Sequence, residues 1–88
     1  MTVTEVIVFS KPDIQCRPCW ATKKRMNDKG VPYISRDVTV DEEARDFVVK
    51  AGFLQTPVVI VKFDDDSEET WTGFDPDRID VLASKFAA

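Results

Sequence analysis

Short apolar runs alternate with polar, helix-forming segments along this chain. Residues 3–9 are mostly β-branched and apolar and predict a buried strand, and residues 32–38 predict a second strand. Residues 58–61 form an unbroken β-branched run that is too short for a helix and typical of a strand covered on both faces. The acidic residues 64–69 predict an exposed turn, after which residues 70–72 return as a short antiparallel strand.

Glycines and capping residues mark the ends of two helices between these strands. The first helix is predicted to begin around Cys16 and to end before Gly30, which suits the position just past a helix terminus. Thr39 and the glutamate three residues later resemble a capping box for the second helix, although Asp41 can cap it instead. Gly52 is predicted to end this second helix.

Apolar stripes indicate which helix faces are buried. The second helix is expected to bury one face, formed by Ala44, Phe47, Val48 and Ala51. A last helix begins with Asp75 as N-cap and Pro76 in its first turn, and its stripe consists of Ile79, Leu82 and Phe86. The resulting order is β-α-β-α-β-β-α. Strand–helix–strand units imply parallel pairing with right-handed crossovers, and the final hairpin adds an antiparallel edge.

The length and composition predict one small domain spanning residues 1–88. Its hydrophobic fraction of 43% and charged fraction of 32% are ordinary for a soluble globular protein. No apolar stretch approaches the ~18 residues that cross a bilayer, and the N-terminus lacks a basic region followed by an apolar stretch. We therefore expect a cytoplasmic protein with no membrane partner.

The net charge of −4 is unevenly distributed. Residues 11–29 carry six Lys and Arg against two Asp, whereas the rest of the chain carries six against fourteen acidic residues. The positive segment either forms a solvated helix face or favours a thiolate and steers an acidic partner. Nucleic-acid binding is not expected, because the chain as a whole is acidic and the basic segment is short.

Cys16 and Cys19 are the only cysteines and form a C-x-x-C pair at the start of the first helix. This spacing suits metal ligation or reversible disulfide formation. A zinc site usually needs four N or S ligands, and the chain has no histidine, so only carboxylates remain to complete the set. Two chains together could supply four thiolates to an iron–sulfur cluster, and an iron–sulfur or zinc binding module is therefore kept as an alternative. Redox chemistry is the preferred interpretation.

The position of the two cysteines predicts their roles. An ordinary thiol, with a pKa of ~8.5, is only a few per cent thiolate at pH 7. Free N–H groups at the helix start, the helix dipole and the cations Lys11 and Arg17 favour the anion of Cys16, the predicted nucleophile. Cys19 lies three residues further on the same face and is the predicted resolving thiol. Pro18 costs little in a first turn, where N–H groups have no intrahelical partner.

Two other segments carry candidate site residues. Thr56-Pro57 stands directly before the third strand, where a proline can open a strand. Trp71-Thr72-Gly73-Phe74 places two aromatic residues around a glycine before the last helix, and Trp20 directly follows the cysteine pair. Aromatic residues in such positions serve either in the core or in a surface that contacts a partner, and the sequence leaves both open.

Taken together, these motifs resemble those of glutaredoxin-like redoxins, and the NrdH-redoxin family above all. That family donates electrons to class Ib ribonucleotide reductase. The resemblance runs along nearly the whole chain and is carried by Phe9-Ser10-Lys11-Pro12 ahead of the cysteine pair, Asp41-Glu42-Glu43-Ala44-Arg45-Asp46-Phe47, Thr56-Pro57-Val58, and Trp71-Thr72-Gly73-Phe74 with Asp75-Pro76-Asp77 after it.

This resemblance implies a thioredoxin/glutaredoxin α/β fold, with a central four-stranded mixed sheet flanked by three helices and a cis peptide bond before Pro57. It implies Cys16 and Cys19 as nucleophilic and resolving thiols, and no bound cofactor beyond their redox-active disulfide. Electrons would come from NADPH through a flavoprotein thioredoxin reductase and pass to ribonucleotide reductase or another disulfide-containing protein. The partner-binding surface of the expected monomer would comprise Lys11, Arg17, Pro18, Trp20, Thr56, Pro57, Trp71, Gly73 and Phe74.

A glutathione-dependent glutaredoxin is the alternative within the same class. In NrdH-redoxins, W-x-G-F lies where glutathione-dependent glutaredoxins carry a Gly-Gly motif followed by Asp, so Trp71 and Phe74 imply weak glutathione binding. The chain departs from the family pattern in the loop at residues 13–15, which is longer than usual. It also carries Arg17-Pro18 between the cysteines, where the family often has Val-Gln and where a proline is more typical of thioredoxin.

Overall fold

The computed structural model describes residues 2–86 and contains four strands, three α-helices and one short 3-10 turn. The strands are β1 (Val3–Ser10), β2 (Ile34–Asp37), β3 (Val58–Phe63) and β4 (Glu68–Thr72). The helices are α1 (Arg17–Asp28), α2 (Glu42–Lys50) and α3 (Pro76–Ser84), and the 3-10 turn Asp13–Gln15 lies between β1 and α1. The predicted order β-α-β-α-β-β-α is confirmed.

The four strands form one mixed sheet in the order β2-β1-β3-β4. β1 pairs with β2 in parallel, as a strand–helix–strand unit predicts, and β3 and β4 form the predicted antiparallel hairpin. The expectation of parallel pairing is wrong for the second unit, because β3 lies beside β1 and runs antiparallel to it. An unbroken apolar run fits the centre of a sheet in either direction, so the pattern of β3 does not encode its orientation.

The two faces of the sheet bury two separate hydrophobic clusters. Val59 and Val61 of β3 point into the first cluster, which α1 and α3 cover with Met26, Ile79 and Leu82. Val58 and Ile60 point into the second cluster, which α2 covers with Ala44 and Val48. The alternation along β3 therefore confirms a strand covered on both faces. Within residues 2–86, no helix is long and apolar enough to cross a membrane.

Capping residues set the ends of the helices. The carboxylate of Asp41 accepts a hydrogen bond from the Ala44 N–H at 3.0 Å and caps α2. Thr39, the alternative candidate, instead donates to the Asp37 carboxylate through its hydroxyl. Asp75 caps α3, as predicted, by accepting from the Arg78 N–H at 3.1 Å. Gly30 and Gly52, just past α1 and α2, have φ angles of 72° and 80°, a conformation that glycine adopts without steric cost.

Four expectations about burial and strand length are wrong. Phe47 is 43% exposed, although its ring stacks on Phe9 with centroids 5.0 Å apart, and Ala51 is also exposed. Phe86 follows the end of α3 and is 37% exposed. β4 begins at Glu68, inside the segment predicted as turn, because edge-strand pairing with β3 needs only backbone groups and leaves the acidic side chains in water.

Candidate active site

Cys16 and Cys19 are joined by a disulfide at the N-terminus of α1, with their Cα atoms 5.2 Å apart. Cys16 has extended backbone angles and is the N-cap residue, so its side chain faces the unpaired N–H groups of the first turn. Its Sγ accepts a hydrogen bond from the backbone N–H of Cys19 at 3.2 Å. The first turn of α1 contains no acidic residue. A negative charge on Cys16 Sγ would therefore be stabilised by this hydrogen bond and by the helix dipole.

The two sulfur-bearing residues differ in their access to solvent. Cys16 is 7% exposed and Cys19 is fully buried at 0%. Arg17 and Pro18, between them, are both exposed. An incoming thiolate or disulfide can therefore reach Cys16 from solvent, whereas Cys19 is reached through Cys16.

A second segment meets Cys16 from the opposite side of the site. The hydroxyl of Thr56 lies 3.6 Å from Cys16 Sγ, and the Thr56 carbonyl oxygen lies 3.8 Å from the same sulfur. The Thr56-Pro57 peptide bond is cis, which confirms the expectation drawn from the family resemblance. The Pro57 carbonyl accepts a hydrogen bond from the Gly73 N–H at 2.9 Å. Gly73 has a φ of 77°, so a side chain there would be strained.

The three aromatic candidates occupy different environments. Trp71 is 7% exposed and belongs to the core cluster under α1 and α3, with the guanidinium of Arg78 over its ring at 5.6 Å. Trp71 thus lies in the core. Trp20 and Phe74 are 47% and 42% exposed and line one shallow groove together. These two side chains form an aromatic surface beside α1, and Trp20 directly follows Cys19.

Internal ion pairs neutralise most of the positive segment at residues 11–29. Four of its six cations lie within 4 Å of a carboxylate, in the pairs Lys23–Asp13, Lys24–Asp28, Arg25–Asp80 and Lys29–Asp80. Within residues 2–86, Lys11 and Arg17 make no ion pair. Arg17 directly follows Cys16, and Lys11 lines a groove that Thr56 also lines. The two cations of this segment without an ion pair are therefore one that adjoins Cys16 in sequence and one that shares a groove with Thr56.

Two exposed apolar residues near the site were not predicted from the sequence. Ile14 lies in the 3-10 turn Asp13–Gln15 and is 95% exposed, and Leu54 precedes the cis proline segment and is 99% exposed. Each lies in a loop, two positions before a residue that carries Cys16 Sγ or lies next to it, and Leu54 directly follows Phe53. That spacing is the only sequence signal that could have identified them. Across residues 2–86, no group of three or more His, Cys, Asp or Glu side chains is arranged to hold a metal ion.

The sequence profile of the glutaredoxin family matches residues 6–64 of the chain. The glutaredoxin-like protein NrdH of Escherichia coli K12 is 32% identical over 77 residues, which cover 88% of this chain and 86% of that protein. This chain belongs to the glutaredoxin-like NrdH-redoxin family. It is accordingly a thiol–disulfide oxidoreductase, with Cys16 and Cys19 as its redox-active pair.

A phage relative and two solved structures are also similar to this NrdH-redoxin. The gene 56 protein of Mycobacterium phage L5 is 31% identical over 84 residues, covering 94% of this chain and 76% of the phage protein. The solved structure of NrdH-redoxin from E. coli, a protein with a thioredoxin-like activity profile, has a TM-score of 0.75 at 33% identity and covers 90% of this chain and 95% of that one. Oxidised thioredoxin from Plasmodium falciparum shares the fold, with a TM-score of 0.56 at 20% identity over 94% of this chain and 80% of its own. The thioredoxin/glutaredoxin fold expected for the redoxin is thus confirmed.

Proposed function

We propose that this redoxin is a dithiol electron donor that reduces a disulfide in a protein such as class Ib ribonucleotide reductase. Thioredoxin reductase, using NADPH, would return it to the dithiol form. The similarity to NrdH of E. coli and to NrdH-redoxin, whose activity profile is thioredoxin-like, supports this assignment. The redoxin would act as a monomer in the cytoplasm, where thiols are kept reduced.

The cycle moves two electrons and needs only the two sulfur atoms of this chain. The Cys16 thiolate attacks one sulfur of the client disulfide, forming a mixed disulfide and releasing the other client sulfur, which takes up a proton. Cys19 then loses its proton and attacks Cys16 Sγ, which releases the second client thiol and closes the Cys16–Cys19 disulfide. The client gains two electrons and two protons, and the reductase later reverses the change in the redoxin.

The difference between the two cysteines is the observation that carries these roles. Cys16 Sγ is the sulfur that solvent reaches and the one that accepts the Cys19 N–H. Thr56 supplies a hydroxyl next to the same sulfur. Of the cations in residues 11–29, the two that make no ion pair within residues 2–86 are Arg17, adjacent to Cys16, and Lys11, in the groove that Thr56 also lines. Each of these contacts favours negative charge on Cys16, and none is directed at Cys19 Sγ.

The segment Trp71–Phe74 supports a protein client over glutathione. Its backbone is attached to the cis proline segment through the Gly73–Pro57 hydrogen bond, and it exposes the aromatic ring of Phe74. A small polar tripeptide needs hydrogen-bond donors and a fixed charge at such a position, whereas a protein surface is recognised by exposed aromatic rings. Trp20 and Phe74 would contact such a surface beside the disulfide.

NADPH consumption with the oxidised redoxin and insulin as the disulfide substrate tests the assignment. We expect thioredoxin reductase to sustain turnover and glutathione with glutathione reductase to sustain at most a small fraction of it. Cys16→Ser should abolish turnover with either reductant, because no first attack is possible. Dominant coupling to glutathione would overturn the proposal in favour of a glutathione-dependent glutaredoxin.

A further inference from the structure

The two most exposed large hydrophobic side chains within residues 2–86 lie in the two loops that lead to Cys16 and to Thr56. Ile14 is 95% exposed and lies two residues before Cys16, and Leu54 is 99% exposed and lies two residues before Thr56. The two segments meet at Cys16 Sγ, which lies 3.6 Å from the Thr56 hydroxyl. Single exposed apolar residues are normal on protein surfaces, but each of these two lies two residues before one of the residues that meet at Cys16 Sγ.

Hydrogen bonds and an ion pair hold the Ile14 segment in place. The 3-10 turn is closed by the Gln15 N–H donating to the Pro12 carbonyl at 2.8 Å and the Cys16 N–H donating to the Asp13 carbonyl at 3.3 Å. The Asp13 carboxylate also pairs with Lys23 of α1 at 2.5 Å. This turn buries none of its residues. Ile14 therefore points into solvent from a turn that hydrogen bonds and an ion pair hold in place, and it does not contribute to the core.

Leu54 forms part of a groove that begins at the active site. The groove has a volume of about 360 Å³, enough for two or three side chains, and shares Thr56 with the active site. Its apolar lining includes Val48, Val49 and Phe53, and the cations that line it are Lys11 and Arg45. A concave surface of this kind fits an extended segment better than the flat face of a folded domain.

We propose that Ile14 and Leu54 are paired anchors for an extended, disulfide-bearing segment of a protein client. The client segment carries apolar side chains on both sides of the attacked cysteine and an acidic residue beyond them. The apolar side chains pack on Ile14 and in the Leu54 groove, and the acidic residue faces Lys11 and Arg45. This inference rests on the proposed function, since it concerns the client of the same sulfur, and it adds the sequence character of that client.

Two synthetic peptides with the same intramolecular disulfide provide the test. In the first, leucine stands on both sides of the attacked cysteine and glutamate follows; in the second, these positions hold serine and lysine. Their single-turnover reduction by the full-length, reduced redoxin is followed chromatographically, with hydroxyethyl disulfide as a small substrate. We expect the second-order rate constant of reduction to be larger for the first peptide. Ile14→Ser or Leu54→Ser should each lower that rate constant about tenfold, as loss of a partly buried Ile or Leu contact predicts.

Val81→Ser is the matched control, because Val81 is 61% exposed on α3 and lines a different depression with Glu69 and Lys85. Val81→Ser should reduce both the first peptide and hydroxyethyl disulfide within about twofold of the unchanged chain, as expected for a surface substitution outside the proposed anchors. In Ile14→Ser and Leu54→Ser, the rate for the first peptide relative to that for hydroxyethyl disulfide should fall. Equal rates for the two peptides would overturn the inference, and so would a rate decrease in Val81→Ser as large as that in the anchor variants. Neither result would change the outcome of the assay with thioredoxin reductase, so the proposed function would stand. Preferential coupling to glutathione would overturn the proposed function without altering the peptide preference.

Discussion

Thr56 is the residue outside the C-x-x-C motif that most directly adjoins the reacting sulfur. Its hydroxyl lies 3.6 Å from Cys16 Sγ and can donate a hydrogen bond to a thiolate formed there. We expect Thr56→Val to slow alkylation of the reduced Cys16 by iodoacetamide at pH 7 by about tenfold, the effect of losing a hydrogen bond to a charged group. Thr56→Ser, which keeps the hydroxyl, should react nearly as fast as the unchanged chain.

The thermal midpoint of Thr56→Val provides the internal check on this expectation. Thr56 is only partly buried, and the isosteric change should leave the midpoint nearly unaltered. Equal alkylation rates in the valine and serine variants would show that the hydroxyl does not contribute to the reactivity of Cys16.

Residue types in the sequence predicted the chemistry of the site well, but they did not predict which side chains form its surface. The spacing of Cys16 and Cys19 identified the redox pair directly, because a bridge across one helical turn requires that spacing. Trp71 could not be assigned to core or surface from sequence, since both need an aromatic residue, and the structure places it in the core. Ile14 and Leu54 were not predicted as site residues because apolar residues in loops have no periodicity that indicates which way they face.

At the level of secondary-structure elements, an ion pair holds α3 against α1. Arg25 donates two hydrogen bonds to the Asp80 carboxylate, at 3.0 and 2.6 Å. These bonds lower the pKa of Asp80 below its usual value of about 3.9. A carboxylate with a lowered pKa contributes stability above the unfolded pKa and loses it as the pH falls through the folded pKa.

We therefore expect Asp80→Asn to lower the thermal midpoint by about 2–5 °C at pH 7, because a half-exposed pair contributes modestly. The difference from the unchanged chain should close as the pH falls below about 4. Circular dichroism melts at pH 7 and pH 3 measure it. Asp46→Asn, an exposed carboxylate on α2 that makes no ion pair within residues 2–86, is the control and should show no such difference. A constant difference at both pH values would contradict the ion-pair explanation.

The N-cap of α2 gives a second prediction about a single element. The Asp41 carboxylate accepts the Ala44 N–H and two hydrogen bonds from Arg36, at 3.0 and 3.1 Å. We expect Asp41→Ala to lower the thermal midpoint by roughly 4–8 °C, and Asp41→Asn to restore most of it. Thr39→Ala should lower the thermal midpoint less than Asp41→Ala does, because the Thr39 hydroxyl contacts Asp37 and not the helix. Equal decreases in the thermal midpoint for Thr39→Ala and Asp41→Ala would favour the capping box over the Asp41 cap.

Local signals predicted the elements well and their tertiary arrangement less well. Gly30, Gly52 and Asp75 marked helix ends correctly, because backbone conformation and capping depend on near neighbours. The predicted direction of β3 was wrong, because strand direction depends on which neighbouring strand β3 pairs with. The apolar run of β3 suits both orientations. The exposed Phe47 shows a related limit: its stacking on Phe9 depends on where β1 lies, which α2 alone does not encode.

On the scale of the whole molecule, charge is separated between the active site and the β3–β4 hairpin. The net charge is −4, and acidic residues cluster at positions 64–69, whereas Lys11 and Arg17 remain unpaired near Cys16 within residues 2–86. This arrangement should attract an acidic client to the disulfide.

We expect the second-order rate constant for reduction of the leucine- and glutamate-containing peptide to fall as salt rises, because surface charges are screened over ~10 Å at 0.1 M. The double variant Lys11→Gln, Arg17→Gln should be slower at low salt and less sensitive to salt. Lys50→Gln with Lys85→Gln changes the net charge equally at other places and serves as the control. Identical salt dependence in the two double variants would show that net charge, and not its position, steers the client.

Trapping the mixed disulfide is the most direct test that Cys16 attacks and Cys19 resolves. Reduced Cys19→Ser is mixed with insulin, and non-reducing mass spectrometry locates the adduct. The predicted result is a covalent complex through Cys16 that dithiothreitol releases, and none with Cys16→Ser. An adduct forming through Cys19 in the Cys16→Ser protein at a comparable rate would contradict the assigned roles, as would sustained turnover by Cys19→Ser without any trapped complex.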